Sequence, residues 1–149
     1  MINIDVLENE LKKNDVANGY VFCGLDEELI KISVDSIINK VVEKDFIDLN
    51  FTKLDGLTTT FEEIENACET LPFFGDRKVV LVYRANFLKD KADKEAAKTY
   101  SEISKYIKNL PSHTVLIMYY VFNDKRDTPK KNKKLSTLDK YIKVVHCDK

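Results

Sequence analysis

The chain predicts an α/β fold, a three-layer sandwich in which helices cover both faces of a mainly parallel sheet of about five strands. Three observations carry this expectation. Apolar residues switch repeatedly between helical spacing and short compact runs, so helices and strands alternate along the chain. Runs such as Val79-Val80-Leu81-Val82 and Val115-Leu116-Ile117-Met118 lack polar alternation, which suits strands buried on both faces. The 149 residues, 44% of them hydrophobic, suffice for one domain with one continuous core. The strand–helix–strand connections should be right-handed crossovers.

The elements follow in order. Ile4, Leu7 and Leu11 share one face of a short opening helix. Tyr20-Val21-Phe22-Cys23, between Gly19 and Gly24, reads as a buried strand. Asp26 caps the next helix, whose apolar face is Ile30, Val34, Ile37, Ile38, Val41 and Val42. A second strand is expected from Phe46 to Leu54, where Ile47, Leu49 and Phe51 alternate with polar neighbours as on an edge. Thr60 followed by Glu63 is a capping-box pattern. It opens a helix striped by Phe61, Ile64, Ala67, Cys68 and Leu71 and stopped by Pro72. Gly75-Asp76 turns into a strand over Lys78–Tyr83, and the mixed charges of Lys89–Asp93 read as an exposed loop. A helix from about Lys94 to Asn109 turns Ala96, Tyr100, Ile103 and Ile107 inward, and Val115–Tyr119 is a further strand. Asn123–Lys134 is expected to be a long mobile loop before a last helix around Leu135, Leu138 and Ile142. Val144-Val145-His146-Cys147 closes the sheet.

Composition excludes several functions. Lys and Arg number 24 against 25 Asp and Glu, a net charge of −1, which gives no general attraction for nucleic acid or an anionic membrane. No apolar run approaches the roughly 20 residues that span a bilayer, and the N-terminus lacks the pattern of a signal peptide, so a cytoplasmic location is expected. Cys23, Cys68 and Cys147 are odd in number and far apart, as buried reduced thiols would be. His113 and His146, far apart beside strands, suit packing or surface roles better than a metal site. Neither a metal nor another cofactor is expected.

Ligands of such sheets bind beyond the carboxyl ends of the strands. A phosphate loop after the first long strand requires Gly-x-x-x-x-Gly-Lys-Ser/Thr. Gly24 is followed instead by Leu29, Ile30 and Lys31 at the glycine, lysine and hydroxyl positions. Asp26, Glu27 and Glu28 crowd the helix N-terminus, where they suit the helix dipole but repel a triphosphate. The strand ending at Tyr83-Arg84 offers no carboxylate for magnesium. A receiver-type phosphoacceptor fails at Tyr83, a dinucleotide fold fails for want of glycines, and no Gly-x-Ser-x-Gly elbow occurs. No catalytic residue is identified.

The segment Glu69-Thr70-Leu71-Pro72-Phe73-Phe74-Gly75-Asp76-Arg77-Lys78-Val79-Val80, followed by Ala85-Asn86-Phe87-Leu88, resembles the N-terminal domain of the delta subunit of bacterial DNA polymerase III. That subunit opens the sliding clamp within the clamp loader. Gly19-Tyr20-Val21-Phe22-Cys23-Gly24 and Lys53-Leu54-Asp55-Gly56 match it too, in the same order along nearly the whole chain. The resemblance implies a P-loop/AAA+-like fold without a functional P-loop, acting in DNA replication. It makes residues 1–149 a single AAA+-like N-terminal domain, without the helical lid and C-terminal collar domains of the family. Family membership alone ties it to an enzyme, the DNA-directed DNA polymerase holoenzyme. The implied partners are the sliding clamp (beta subunit), other clamp-loader subunits, and DNA indirectly within the complex; no membrane is involved. The family topology also makes the strands of Cys23 and Cys147 neighbours, so these thiols are expected to approach.

The implied clamp-binding element falls at Glu69, Leu71, Pro72, Phe73 and Phe74. Clamp-binding peptides resemble Gln-x-x-x-Leu-Phe, so Glu69 replaces the glutamine, Leu71 takes the intermediate apolar place and Phe73-Phe74 the final pair. Glu69 and Pro72 depart from that pattern. Aromatic residues at helix ends are usually core anchors. Two adjacent rings straddling a turn do not readily both point inward, however, and an exposed aromatic beside Pro and Gly marks an interface. Lys130, Lys131, Lys133 and Lys134, with Lys125 and Arg126, are candidate contacts to DNA phosphates, although such runs are usually solvated loops. Two other readings stay open: a stator-like scaffold of the loader, and a diverged nucleotide-binding ATPase.

Overall fold

Alternating periods fold into alternating elements. A computed structural model describes residues 1–91 and 93–148; Ala92, in the mixed-charge loop, and Lys149 lie outside the described residues. The strands are β1 (Ile2–Asn3), β2 (Gly19–Gly24), β3 (Phe51–Asp55), β4 (Lys78–Tyr83), β5 (Thr114–Val121) and β6 (Lys143–Cys147). The helices are α1 (Ile4–Lys12), α2 (Glu27–Val41), α3 (Ile47–Asn50), α4 (Phe61–Glu69), α5 (Lys94–Tyr106) and α6 (Lys133–Leu138). All strand pairs are parallel, in the order β1-β6-β2-β5-β4-β3.

Side chains that alternate along each strand sort into two cores. Val21, Cys23, Val80, Val82, Leu116, Met118 and Val144 pack under Ile64 and Cys68 of α4, Ile103 of α5, and Leu135 and Leu138 of α6. Tyr20, Phe22, Val79, Leu81, Val115, Ile117 and Val145 pack under Leu7 and Leu11 of α1 and Ile30, Val34, Ile37 and Ile38 of α2. The outcome is the expected three-layer α/β sandwich. Among the described residues no helix is long and apolar enough to cross a membrane.

The structure corrects several of the expectations about the elements. The sheet has six strands rather than about five, because Ile2–Asn3 pairs with β6 at the edge. β6 therefore lies between β1 and β2 and does not close the sheet. The strand expected from Phe46 to Leu54 is a 3-10 turn (Lys44–Phe46), then α3, and only then β3. Ile47 packs on the core while Leu49 is exposed, as one helical turn demands and a strand face does not. β3 does form the expected edge.

The stretch Asn123–Lys134 is not an open loop. It contains a 3-10 turn (Pro129–Lys131) and the buried Asn132, whose amide donates to Leu88 O at 2.8 Å and Tyr120 Oη at 3.1 Å while Oδ1 caps α6 at Lys134 N. Lastly, Cys23 aligns with His146 and Gly24 with Cys147, so the Cys23 and Cys147 thiols lie on opposite faces of the sheet and do not meet. Cys23 Sγ donates to Val145 O at 3.7 Å and Cys147 Sγ to Ser33 Oγ at 3.9 Å.

Candidate protein-docking site

α4 is fixed before it delivers anything. Its capping box is closed, with Glu63 N donating to Thr60 Oγ1 at 3.2 Å and Thr60 N to Glu63 Oε1 at 3.3 Å. Its last turn is tied to the start of β5, where Thr114 Oγ1 donates to Cys68 O at 2.6 Å and His113 Nε2 lies 3.1 Å from the same oxygen. The helix ends at Glu69, and Thr70 Oγ1 donates back to Asn66 O at 2.7 Å. Pro72 lies beyond this end and holds Leu71 away from helical geometry, so Leu71 leaves the apolar stripe assigned to it and points to solvent.

The loop from Leu71 to Asp76 then runs to the start of β4, along the amino edge of the sheet. Leu71 is 70% exposed, Phe73 53% and Phe74 80%, with Pro72 half-buried between them. Both rings of the pair are therefore outside, where one was expected. The backbone beneath them is pinned. Asn50, only 2% exposed, donates through Nδ2 to Phe73 O at 2.6 Å, and Phe73 N donates to Asn50 Oδ1 at 2.7 Å. Phe74 has φ 55°, in the left-handed region, and its ring stacks on Phe46 with centroids 5.7 Å apart. Arg77 anchors the far end through Nη1 to Val16 O at 3.4 Å and Nη2 to Ala17 O at 3.5 Å.

Glu69 stands apart from this apolar cluster. Its carboxylate accepts from Tyr106 Oη on α5, and burial with that bond raises the Tyr106 phenol above its ordinary pKa. Sequence reasoning missed Phe46 and Asn50. The only signal was a polar Asn50 between Leu49 and Phe51 in a stretch that reads as a strand.

The opposite, carboxyl edge holds the acidic start of α2. Asp26 caps the helix at Glu28 N, 3.0 Å away. Glu27 accepts from Arg84 Nε at 3.1 Å, Arg84 Nη2 at 3.2 Å and Tyr119 Oη at 2.8 Å. The Arg84 bonds and then the Tyr119 bond hold the Glu27 carboxyl below the usual carboxylate range, while burial first and Glu27 second push the Tyr119 phenol up. A carboxylate with its own guanidinium thus occupies the position where an ATPase collects phosphates. A cleft of about 660 Å³ also opens between Thr58–Thr60 and the start of α5, and both signs of charge line it, including Lys89, Lys98, Asp93 and Glu102. Among the described residues no group of three or more His, Cys, Asp or Glu is placed to hold a metal ion.

The basic stretch divides. Lys130, Lys131 and Lys133 are exposed. Lys131 Nζ donates to Arg126 O at 2.8 Å. Lys134 is half-buried: its ammonium donates to Phe87 O at 3.1 Å and Lys89 O at 2.6 Å and lies 5.1 Å from the Tyr100 ring centroid. These lysines are not brought together with Leu71–Phe74.

Residues 20–148 match the family described as DNA polymerase III, delta subunit. The DNA polymerase III subunit delta of Bacillus subtilis (strain 168) is 29% identical over 122 residues, covering 81% of this chain and 35% of that protein. The chain therefore spans about a third of the length of this curated relative. The structure of the Bacillus subtilis DNA clamp loader delta protein superimposes with a TM-score of 0.80 at 25% identity, covering 96% of this chain and 42% of that one. A DNA polymerase III gamma-subunit-related protein from Thermotoga maritima shares the fold, with a TM-score of 0.62 at 12% identity over 98% of this chain and 46% of its own.

Proposed function

The chain belongs to the DNA polymerase III delta-subunit family, and from that membership we propose that it is the clamp-binding, clamp-opening domain of a clamp loader. The observation that carries this reading is the exposed apolar cluster of Leu71, Phe73 and Phe74 on a pinned loop. Exposed aromatics on a fixed backbone are what a partner's apolar pocket selects. With Pro72 they form a plug that enters a pocket on the sliding clamp (beta subunit). Glu69 lies at the rim and keeps its bond to Tyr106.

In this reading the domain is the AAA+-like N-terminal part of a longer delta subunit, joined in the loader to other subunits and acting in DNA replication in the cytoplasm. It works by binding and not by ATP hydrolysis. Support comes from the Glu27–Arg84 pair, which sets a carboxylate and its counter-charge at the phosphate position. Plug and phosphate position lie at opposite edges of the sheet, so nucleotide elsewhere in the loader acts by exposing or covering the plug. Lys130, Lys131 and Lys133 are proposed to meet DNA phosphates within the complex; Lys134, already bonded to two carbonyls, contributes less.

The test is binding of this chain to its own organism's sliding clamp, measured by calorimetry with and without ATP. Saturable binding that ignores ATP is expected. Binding to other loader subunits but not to the clamp replaces this reading with a stator-like scaffold, and saturable ATP binding replaces it with a diverged ATPase.

A further inference from the structure

We infer that Asn50 is the positioning residue of this plug, holding Phe73 and Phe74 in the docking conformation before a partner arrives; the inference rests on the docking reading above. An apolar loop left to itself folds its rings onto the nearest apolar surface. Here Phe73 and Phe74 stay 53% and 80% exposed, and of the two only the Phe74 ring stacks on an aromatic neighbour, Phe46. Something must hold the backbone, and the contacts identify it.

Asn50 presents a donor and an acceptor from one buried amide, and Phe73 offers its carbonyl and its N–H. The pairing fixes which end of the amide is oxygen, since the reversed amide would set N–H against N–H. Because Asn50 is almost fully buried, water does not readily take over either bond, and opening the loop would leave the amide unsatisfied. The next residue follows from this pin. With Phe73 fixed, Phe74 turns through φ 55°, a conformation that persists in a bulky residue only where its surroundings impose it. That turn lays the Phe74 ring against Phe46, on the 3-10 turn just before α3. One short segment, Phe46–Asn50, thus supplies both the clasp on the backbone and the platform for the ring.

A loop fixed in its bound shape loses less freedom on docking, so preorganisation raises affinity without a new contact. Asn50 touches no partner in this scheme; it acts through the loop. The experiment uses the full chain with Asn50→Leu, which keeps the volume and removes both bonds, and Asn50→Asp, which keeps only the acceptor for Phe73 N. Hydrogen exchange at the Phe73 amide and clamp binding are followed together, alone and combined with Phe74→Ala. Asn50→Leu is expected to speed Phe73 exchange well beyond that of the β4 amides. It should weaken clamp binding about tenfold, as a fall in the competent fraction to roughly a tenth requires. Asn50→Asp should lie between, which keeps the test open if the leucine variant does not fold.

In the Phe74→Ala background the loss from changing Asn50 should largely vanish, because both act through one loop. A residue that merely supports the fold would lower stability everywhere and would add its loss in full. Unchanged Phe73 exchange, or a wild-type clamp affinity in a folded Asn50 variant, overturns the inference. If the unaltered chain does not bind clamp, the docking reading fails instead, and Phe73 exchange still decides whether Asn50 holds the loop.

Discussion

Arg84 reaches across the carboxyl edge of the sheet and places its guanidinium on both carboxylate oxygens of Glu27, at 3.1 and 3.2 Å. The two residues are 57 apart in sequence, and the pair links the turn after β4 to the first residue of α2 across β5. Arg84 itself sits at φ 51°, in the left-handed region. The consequence for nucleotide is direct. A triphosphate approaching α2 meets Asp26 and Glu28, with the Arg84 guanidinium already bonded to Glu27. ATP with magnesium is therefore expected neither to bind nor to be hydrolysed, and calorimetry that detects saturable binding below millimolar ATP sinks this prediction.

The same pair sets a dependence on pH. The folded-state pKa of Glu27 is depressed, mainly by Arg84, so its contribution to stability is complete above the unfolded-state value. It is lost as pH falls through the folded value. Melting of the wild type and of Glu27→Gln should differ most near neutrality and converge in acid below the ordinary carboxylate range. A gap that stays constant down to that acid limit shows that the bonds to Arg84 and Tyr119 do not stabilise the charged form.

Thiol chemistry follows from the sheet register. Burial pushes Cys68 up to about 12 and Cys147 up to about 11, and raises Cys23 further still. Almost no thiolate exists at pH 8, so alkylation of the native protein should be slow at all three, and slowest at Cys23 and Cys68. Oxidation should give no Cys23–Cys147 disulfide, because the sheet lies between the two sulfurs. Mass spectrometry of labelled and oxidised protein checks both statements; rapid native labelling of Cys23 contradicts the buried β2.

The capping box that starts α4 also admits measurement. Thr60→Ala removes the acceptor for Glu63 N and should cost about 1 kcal/mol in denaturant unfolding. Glu63→Ala in the Thr60→Ala background should add little, since the two bonds close one box. Full additivity of the two losses argues that the residues act separately.

What the sequence made legible was what depends on local pattern. The two-faced strands Tyr20–Cys23, Lys78–Tyr83 and Val115–Tyr119, the Asp26 cap and the Thr60–Glu63 box are each written within a few neighbouring residues, and each stands in the structure. The segment around Ile47 misled because one turn of helix followed by a strand mimics alternation, and only burial separates the two. The length of Asn123–Lys134 suggested an open loop. Its anchor is a single buried Asn132 whose partners, Leu88 and Tyr120, lie 44 and 12 residues away. The loop from Leu71 to Asp76 shows the same division. Leu71, Phe73 and Phe74 are conspicuous in the sequence, but their support by Phe46 and Asn50 comes from an element over 20 residues upstream, and Asn50 lies 23 residues from Phe73. Pairings of that range leave no periodic trace.

Phe74 offers the sharpest test, because its ring and its backbone make opposite demands. The ring is the most exposed large apolar group of the loop, and removing an aromatic from an interface centre costs ~2 kcal/mol or more, about thirtyfold in affinity. In the free chain the ring stacks on Phe46, roughly 0.5–1.5 kcal/mol for a well-packed pair and less for one so exposed. The backbone at φ 55° disfavours any side chain with a Cβ and suits glycine. Phe74→Ala should thus lose most clamp binding while stability stays within ~1 kcal/mol of wild type. Phe74→Gly should bind as poorly yet melt no lower than Phe74→Ala, since relief at the left-handed φ offsets the added chain freedom. Phe73→Ala keeps its backbone bonds to Asn50 and should remain folded, with a smaller binding loss than Phe74→Ala because its ring is the less exposed of the two. Clamp binding and thermal melting of the three variants against wild type give the answer. Wild-type clamp affinity in Phe74→Ala, or unfolding of that variant, removes Phe74 from the proposed docking surface.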